Sequence, residues 1–250
     1  MSSSLGKSII TVVLVLLGVV WVAVIVILLH AIGTTSPGFP AQPAAAAGAP
    51  TTAPNLPSKH YALTLQTFPQ TPEEGWLAEH HYSFVQPALG SPYTAEETED
   101  WVRYGPNTNL VLPAHALITM TIENYDSQTP ILNNFYAQVQ GTVGGTETVD
   151  GKTVSSVDPT TVSHTFTIHS IPDTTQDWLY VSVPVVGVAD SVPTPDFDFP
   201  AHPIVMQFSF VTGGPGSYIW QCFDPCGYGF DGFGGPMQTR GFMSGTVTVQ

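Results

Sequence analysis

Gly216-Ser-Tyr-Ile-Trp-Gln-Cys222-Phe-Asp-Pro-Cys226-Gly, then Gly234-Gly-Pro-Met237 and Gly241-Phe-Met243-Ser-Gly-Thr-Val-Thr-Val-Gln250, close the chain. The stretch holds both cysteines of the protein and two of its five methionines. Tyr218 to Cys222 reads as a strand, the glycines that follow as a loop, and Gly245 to Gln250 as a last strand. Soft sulfur side chains on a loop between two strands suit a metal that accepts thiolate and thioether donors.

Working outward from that end, the chain keeps the same texture. Ile204 to Val211 alternates strongly, and Gly213-Gly-Pro-Gly turns it toward Tyr218. Leu179 to Pro184 and Thr161 to His169 are further short strands. Gly144-Gly145 and Asp150-Gly151 mark a hairpin within Tyr136 to Val154. Asn109 to Asp126 is expected to be a strand pair interrupted at Pro113. His60 to Thr67 is the first strand, and Trp76 to Gln86 offers another through Tyr82, Phe84 and Val85. Thr94 to Asp100 is expected to form one helical turn capped by Thr94. Short strands between turn signals, without a long amphipathic helix, predict an all-β Greek-key sandwich or barrel over residues 59–250.

The N-terminal end is different. From Ser8 to about Leu29 the chain is almost unbroken Ile, Val and Leu, and a helix of that length spans about 33 Å, enough for a bilayer core. Lys7 precedes it and no basic residue follows until Lys59. The positive-inside bias then places residues 1–7 in the cytoplasm, a transmembrane helix over 8–31, and the rest outside. A cleaved signal peptide is the competing reading, but its apolar region is ordinarily shorter. Residues 32–58 carry Pro37, Pro40, Pro43, Pro50, Pro54 and Pro57 and a run of alanines, which predicts a semi-extended tether.

All 19 acidic residues lie beyond the tether, against four basic ones there, Lys59, Arg103, Lys152 and Arg240. Such a surface repels nucleic acid and suits a cationic partner, or serves solubility outside the cell. Nothing reads as a nucleophile elbow, a phosphate loop, a zinc helix or a haem-attachment motif. The expectation is a carrier or binding protein more than a self-sufficient enzyme.

These residues resemble the cupredoxin family. Phe208-Ser-Phe-Val-Thr-Gly-Gly-Pro-Gly-Ser-Tyr-Ile-Trp-Gln-Cys222 looks like its penultimate strand pair, in which a Pro-Gly turn leads to the copper cysteine. Gly241-Phe-Met243-Ser-Gly-Thr-Val-Thr-Val looks like the last strand, which begins just after the axial methionine. Ser163-His164-Thr-Phe-Thr-Ile resembles the segment of the first histidine ligand, and Leu110 to Asp126 the strands upstream of it, with an insertion from about 127 to 158. The resemblance implies copper, with Cys222 as thiolate, His164 as equatorial imidazole and Met243 as axial thioether.

The loop departs from that family in lacking a second histidine after the cysteine, since none occurs after His202. Met237 stands in the corresponding region, either as a replacement ligand or as a core methionine. Cys222-x3-Cys226 also resembles the dinuclear copper loop of cytochrome oxidase subunit II, but Phe230 stands where that loop has its histidine. The two cysteines are read either as ligands or, outside the cell, as a disulfide. His169, His202, His80 and His81 have weaker claims, and Asp190, Asp196 and Asp198 lack the spacing of a calcium loop. The candidate metal set is therefore His164, Cys222, Cys226, Met237 and Met243.

The function that follows is a membrane-anchored, extracytoplasmic copper-binding protein carrying single electrons near a respiratory chain. Its expected partners are the membrane, through the N-terminal helix, and a cationic redox protein or an oxidase complex. The alternatives are a metal-free cupredoxin-fold interaction module and an accessory subunit of a terminal oxidase complex.

Overall fold

Strand-forming residues recur from His60 onward, and together with residues 42–46 they assemble into two sheets of six and seven strands. The structure, a computed structural model, describes residues 20, 21, 23, 24, 42–46, 56–72, 74–79, 81, 82, 98, 101–171, 175–194, 199–224, 226, 235–237 and 239–250. The chain divides into two units, Met1–Gly38 and Phe39–Gln250. The segment expected to span the membrane lies outside the described residues apart from Val20, Trp21, Ala23 and Val24, which are helical. Among the described residues no helix is long and apolar enough to cross a membrane.

One sheet has the order β1 (Gln42–Pro43), β5 (Leu110–Leu112), β13 (Ser244–Val249), β12 (Gly216–Gln221), β9 (Val162–Ser170) and β10 (Val181–Val186). The other runs β2 (Ala45–Ala46), β3 (His60–Phe68), β6 (Leu117–Asn124), β11 (Ile204–Val211), β7 (Glu147–Val149) and β8 (Lys152–Val154), with β4 (Arg103–Gly105) also on β3. Both sheets contribute to one core. Phe166, Ile168, Val183, Trp220 and Val247 from the first meet Leu65, Ile118, Met120, Phe208 and Phe210 from the second. Alternation explains the arrangement, because side chains two apart on a strand share a face. Trp220 stacks on Phe166 with ring centroids 4.8 Å apart, and its indole N–H donates to the Thr108 carbonyl at 2.6 Å. Gly245 lies beside this pair, where a Cβ would collide with the Thr108 carbonyl.

Several expectations are corrected. Residues 42–46, within the stretch expected to be a free tether, lie on the domain: Gln42 and Pro43 pair parallel with Leu110 and Val111, and Ala45 and Ala46 antiparallel with Ala62 and Tyr61. Small side chains and an extended backbone suit such edge pairing as well as they suit a spacer. Glu74–Glu79 is a helix where a strand was expected from Trp76. Leu77, Ala78 and Glu79 are good helix formers, and the turn buries Trp76 against Phe68, Tyr125 and Phe199. Residues 83–86 and, apart from Thr98, the Thr94 to Asp100 turn lie outside the described residues.

The two expected strand pairs are divided between the sheets. β5 is in the first sheet and β6 in the second, and β11 and β12 are divided likewise. The two crossings are joined by Thr212, whose hydroxyl donates to the Pro113 carbonyl at 2.7 Å and accepts from the Ala116 N–H at 3.0 Å. Its own N–H donates to the Ala116 carbonyl at 2.9 Å. Thr212→Val keeps the shape but strands a buried N–H and a carbonyl, so chemical denaturation is expected to show a loss of about 1–3 kcal/mol. An unchanged midpoint would mean that the crossings hold without it.

The insertion after Asp126 is used by both sheets. It supplies β7 and β8, joined at Asp150-Gly151 as expected, while Gly144-Gly145 lies in a 3-10 turn. Its segment Asn134–Ala137 reaches the first sheet, where Tyr136 stacks on Phe223 at 5.7 Å. This cover explains why β9 is buried from Val162 through Ile168 without alternation.

Candidate metal centre

His164, Phe166 and Ile168 alternate onto the core-facing side of β9, so a strand pattern places one imidazole among apolar side chains. Tyr218, Trp220 and Cys222 do the same at the end of β12, next to β9. The two strands thereby bring Cys222 to His164 from 58 residues away in sequence. Cys226 joins them through the loop that follows. His164, Cys222 and Cys226 are all buried, and one ligand atom from each lies within 4.8 Å of the others.

The contacts define the centre further. His164 Nδ1 is 3.1 Å from Cys226 Sγ, and the two sulfurs are 3.6 Å apart. Both cysteines are free thiols in this structure, not a disulfide. Cys222 Sγ also accepts from the Thr165 N–H at 3.4 Å. The Cys222 N–H donates to the Met243 carbonyl at 3.0 Å, which fixes the loop entry against the last strand. Tyr104 packs its ring at 6.3 Å from His164 and 4.9 Å from Trp220.

Asp126 is the residue that sequence reasoning missed. Its Oδ2 accepts from His164 Nε2 at 2.7 Å, and it comes from the end of β6 in the opposite sheet. A hint lay in Asn124-Tyr-Asp126, where two polar residues follow an apolar strand and both are buried. The link between Asp126 and His164 spans an insertion and leaves no spacing pattern.

Charge within the pocket is distributed unevenly. Burial opposes protonation of His164, but hydrogen bonds to Asp126 and Cys222 outweigh it and raise the imidazole to about 10. Burial likewise opposes ionisation of Cys222, and the hydrogen bonds from Cys226 and His164 overcome it, holding the thiol well below its ordinary range. Cys226 is pushed well above that range by its hydrogen bond to Cys222 and by burial. Burial, reinforced by the Cys222 charge, pushes the Asp224 carboxyl up to about 7. In the metal-free pocket the interactions thus favour ionisation at Cys222 over Cys226, and His164 holds its proton more tightly than a free imidazole.

The other expected residues divide. Met237 is buried, and its sulfur accepts from the Cys226 N–H at 3.3 Å, so it borders the cysteines. Met243 is fully buried in the same core. His169 faces the Phe223 ring, at 5.6 Å, and is not among the three clustered groups. His202 is exposed, Asp190 lines a cleft that Asp126 also borders, and His80, Asp196, Asp198 and Phe230 lie outside the described residues. Among the described residues no other group of three His, Cys, Asp or Glu side chains is close enough to hold a metal.

No protein-family profile and no curated protein matches the chain. Among solved structures it is similar to auracyanin B, at 12% identity and a TM-score of 0.29, over 82% of this chain and 96% of that one. It is similar to rusticyanin, described as a copper protein, at 14% identity and 0.26, over 77% and 82% of the two chains. Another rusticyanin structure, from Thiobacillus ferrooxidans, gives 12% and 0.26, over 77% and 81%. Likeness at this level carries no argument about the site, whose reading rests on its own donors.

Proposed function

We propose that this is a membrane-anchored, extracytoplasmic, cupredoxin-like copper protein that carries single electrons for a respiratory chain. The observation that supports it is the buried trio His164, Cys222 and Cys226, with two sulfurs and one nitrogen facing one another. Two thiolate-forming sulfurs and an imidazole are a soft donor set, and the chemistry of that set fits copper. Copper held there would supply a reversible one-electron change at a site shielded from water.

The chain's own residues do the rest. Of the two sulfurs, Cys222 gives up its proton the more readily. Cys226 must lose its proton, and His164 must release the one on Nδ1, before either can donate to a metal. The core around them, from Trp220, Phe166 and Tyr104, excludes water and keeps the donors in place. Rigid donors keep structural change small when the charge at the site changes. Met237 and Met243 are the candidates for a further weak thioether contact. The acidic surface suits a cationic redox partner, and the N-terminal helix would keep the domain at the membrane.

The test is to load the purified full chain, in mild detergent, with copper and to measure metal content and visible absorption. About one copper per chain or more and a thiolate-to-copper absorption band are expected. A chain with neither is instead the metal-free interaction module.

A further inference from the structure

We propose that Asp126 is a positioning residue for this centre. It fixes the His164 ring with Nδ1 toward the sulfurs, and it makes the ring a stronger donor, so that the site holds cupric copper better than a two-sulfur set otherwise would. The first half rests on geometry, and the second rests on the copper reading given above.

Asp126 has little freedom to turn. Its N–H donates to Asn124 Oδ1 at 3.2 Å, and its carbonyl accepts from Asn124 Nδ2 at 3.2 Å and from the Val188 N–H at 2.9 Å. Carboxylate Oδ1 accepts from the Ser127 N–H at 2.7 Å, which leaves Oδ2 for His164 Nε2 at 2.7 Å. The His164 side chain is 3% exposed and has a different partner on each nitrogen. Turning the ring over would take Nε2 off the carboxylate and Nδ1 off Cys226 together, so a single orientation satisfies both.

The link also crosses the sandwich. Asp126 leaves the second sheet at the end of β6, whereas His164 lies in β9 of the first. The carboxylate side chain, 11% exposed, also borders an open cleft of about 330 Å³ lined by Pro69, Tyr125, Val188, Asp190 and Pro200. The site's nitrogen donor is thus tied through one hydrogen bond to a largely buried carboxylate at the edge of that cleft.

The electronic consequence follows from where that carboxylate sits. A hydrogen bond from the far side of a ligating imidazole to a carboxylate fixes the ring and raises its basicity. A stronger donor and a nearby negative charge both favour the higher metal charge. Thiolates by themselves favour cuprous copper, so Asp126 acts against that bias.

The test compares wild type, Asp126→Asn and Asp126→Ala as full chains in mild detergent. In crystal structures of the metal-free proteins, Asp126→Asn, which keeps an acceptor, is expected to retain the His164 orientation, and Asp126→Ala to lose it. An unchanged ring in Asp126→Ala overturns the positioning role, whatever happens with copper. If that variant does not fold, Asp126→Asn decides, and a turned ring there overturns the role because its amide oxygen can still accept. In competition titrations with cupric and cuprous copper, Asp126→Asn is expected to weaken cupric binding by roughly 10–100-fold and cuprous binding much less. Each tenfold widening would appear as a rise of about 59 mV in reduction potential. The same cupric-to-cuprous ratio in both proteins overturns the donor role. A wild type that takes up no copper contradicts the function proposed above and the donor role with it, while the ring orientation still decides the positioning role.

Discussion

Cys222→Ser is expected to weaken copper retention by roughly a thousandfold. Structural zinc sites of cysteine and histidine give on the order of 10–16 kcal/mol of apparent binding, and a copper site of comparable strength shared among a few donors would lose about 4 kcal/mol with one of them. Cys222 is the donor for which the loss is greatest. It is the sulfur whose ionisation the pocket favours, through Cys226, His164 and the Thr165 N–H. A serine hydroxyl fits the space but stays protonated and is a hard, weak donor. The fold should survive, since the backbone bond from residue 222 to the Met243 carbonyl does not involve the side chain. Copper per chain after challenge with a chelator reads the effect directly. Equal retention in wild type and variant would place the copper elsewhere.

Glu147→Gln is expected to remove the part of the pH dependence of folding stability that this carboxyl causes in wild type. Glu147 opens β7 at 2% exposure, and neither carboxylate oxygen has a hydrogen-bond partner among the described residues. Burial raises its carboxyl from 4.5 to about 9. The folded state therefore holds this proton where the unfolded chain has lost it. The folded state is unpenalised below pH 4.5, and stability falls as pH rises from there to about 9, beyond which the loss levels off. At pH 7 the cost is on the order of 3 kcal/mol. Glutamine has nearly the same shape and no proton to lose. Urea unfolding at pH 5, 7 and 9 should show the two proteins diverging as pH rises, with the variant the more stable. Parallel profiles would show that Glu147 is not the source.

Much of the fold was legible in the sequence because strand alternation survives wherever one face meets the core. His60 to Phe68, Ile204 to Val211 and the final strand fall close to where their patterns put them. Which sheet each strand joins was not legible. Pro113 and Gly213-Gly214 look like ordinary interruptions, and only the tertiary bonds of Thr212 show that the chain changes sheets at both. Trp76 was misread for a similar reason: a single aromatic docking into a cluster carries no period. The Pro- and Ala-rich residues 42–46 looked like spacer because edge pairing asks for an extended backbone and little else.

The candidate centre was half legible. Cys222 and Cys226 stood out as soft sulfur side chains on a loop between two strands, and His164 only through the family that its segment resembles. Asp126 did not, since its contact with His164 depends on how two sheets are stacked. The choice between ligands and a disulfide was equally beyond the sequence, and here the cysteines are free, with a histidine nitrogen 3.1 Å from Cys226.

X-ray absorption at the copper edge, on the loaded full chain, tests the central claim most directly. The arrangement of His164, Cys222 and Cys226 predicts a first shell containing two sulfur scatterers together with imidazole nitrogen, and loss of sulfur from that shell in Cys222→Ser. A shell of nitrogen and oxygen without sulfur, unchanged by that substitution, would contradict it.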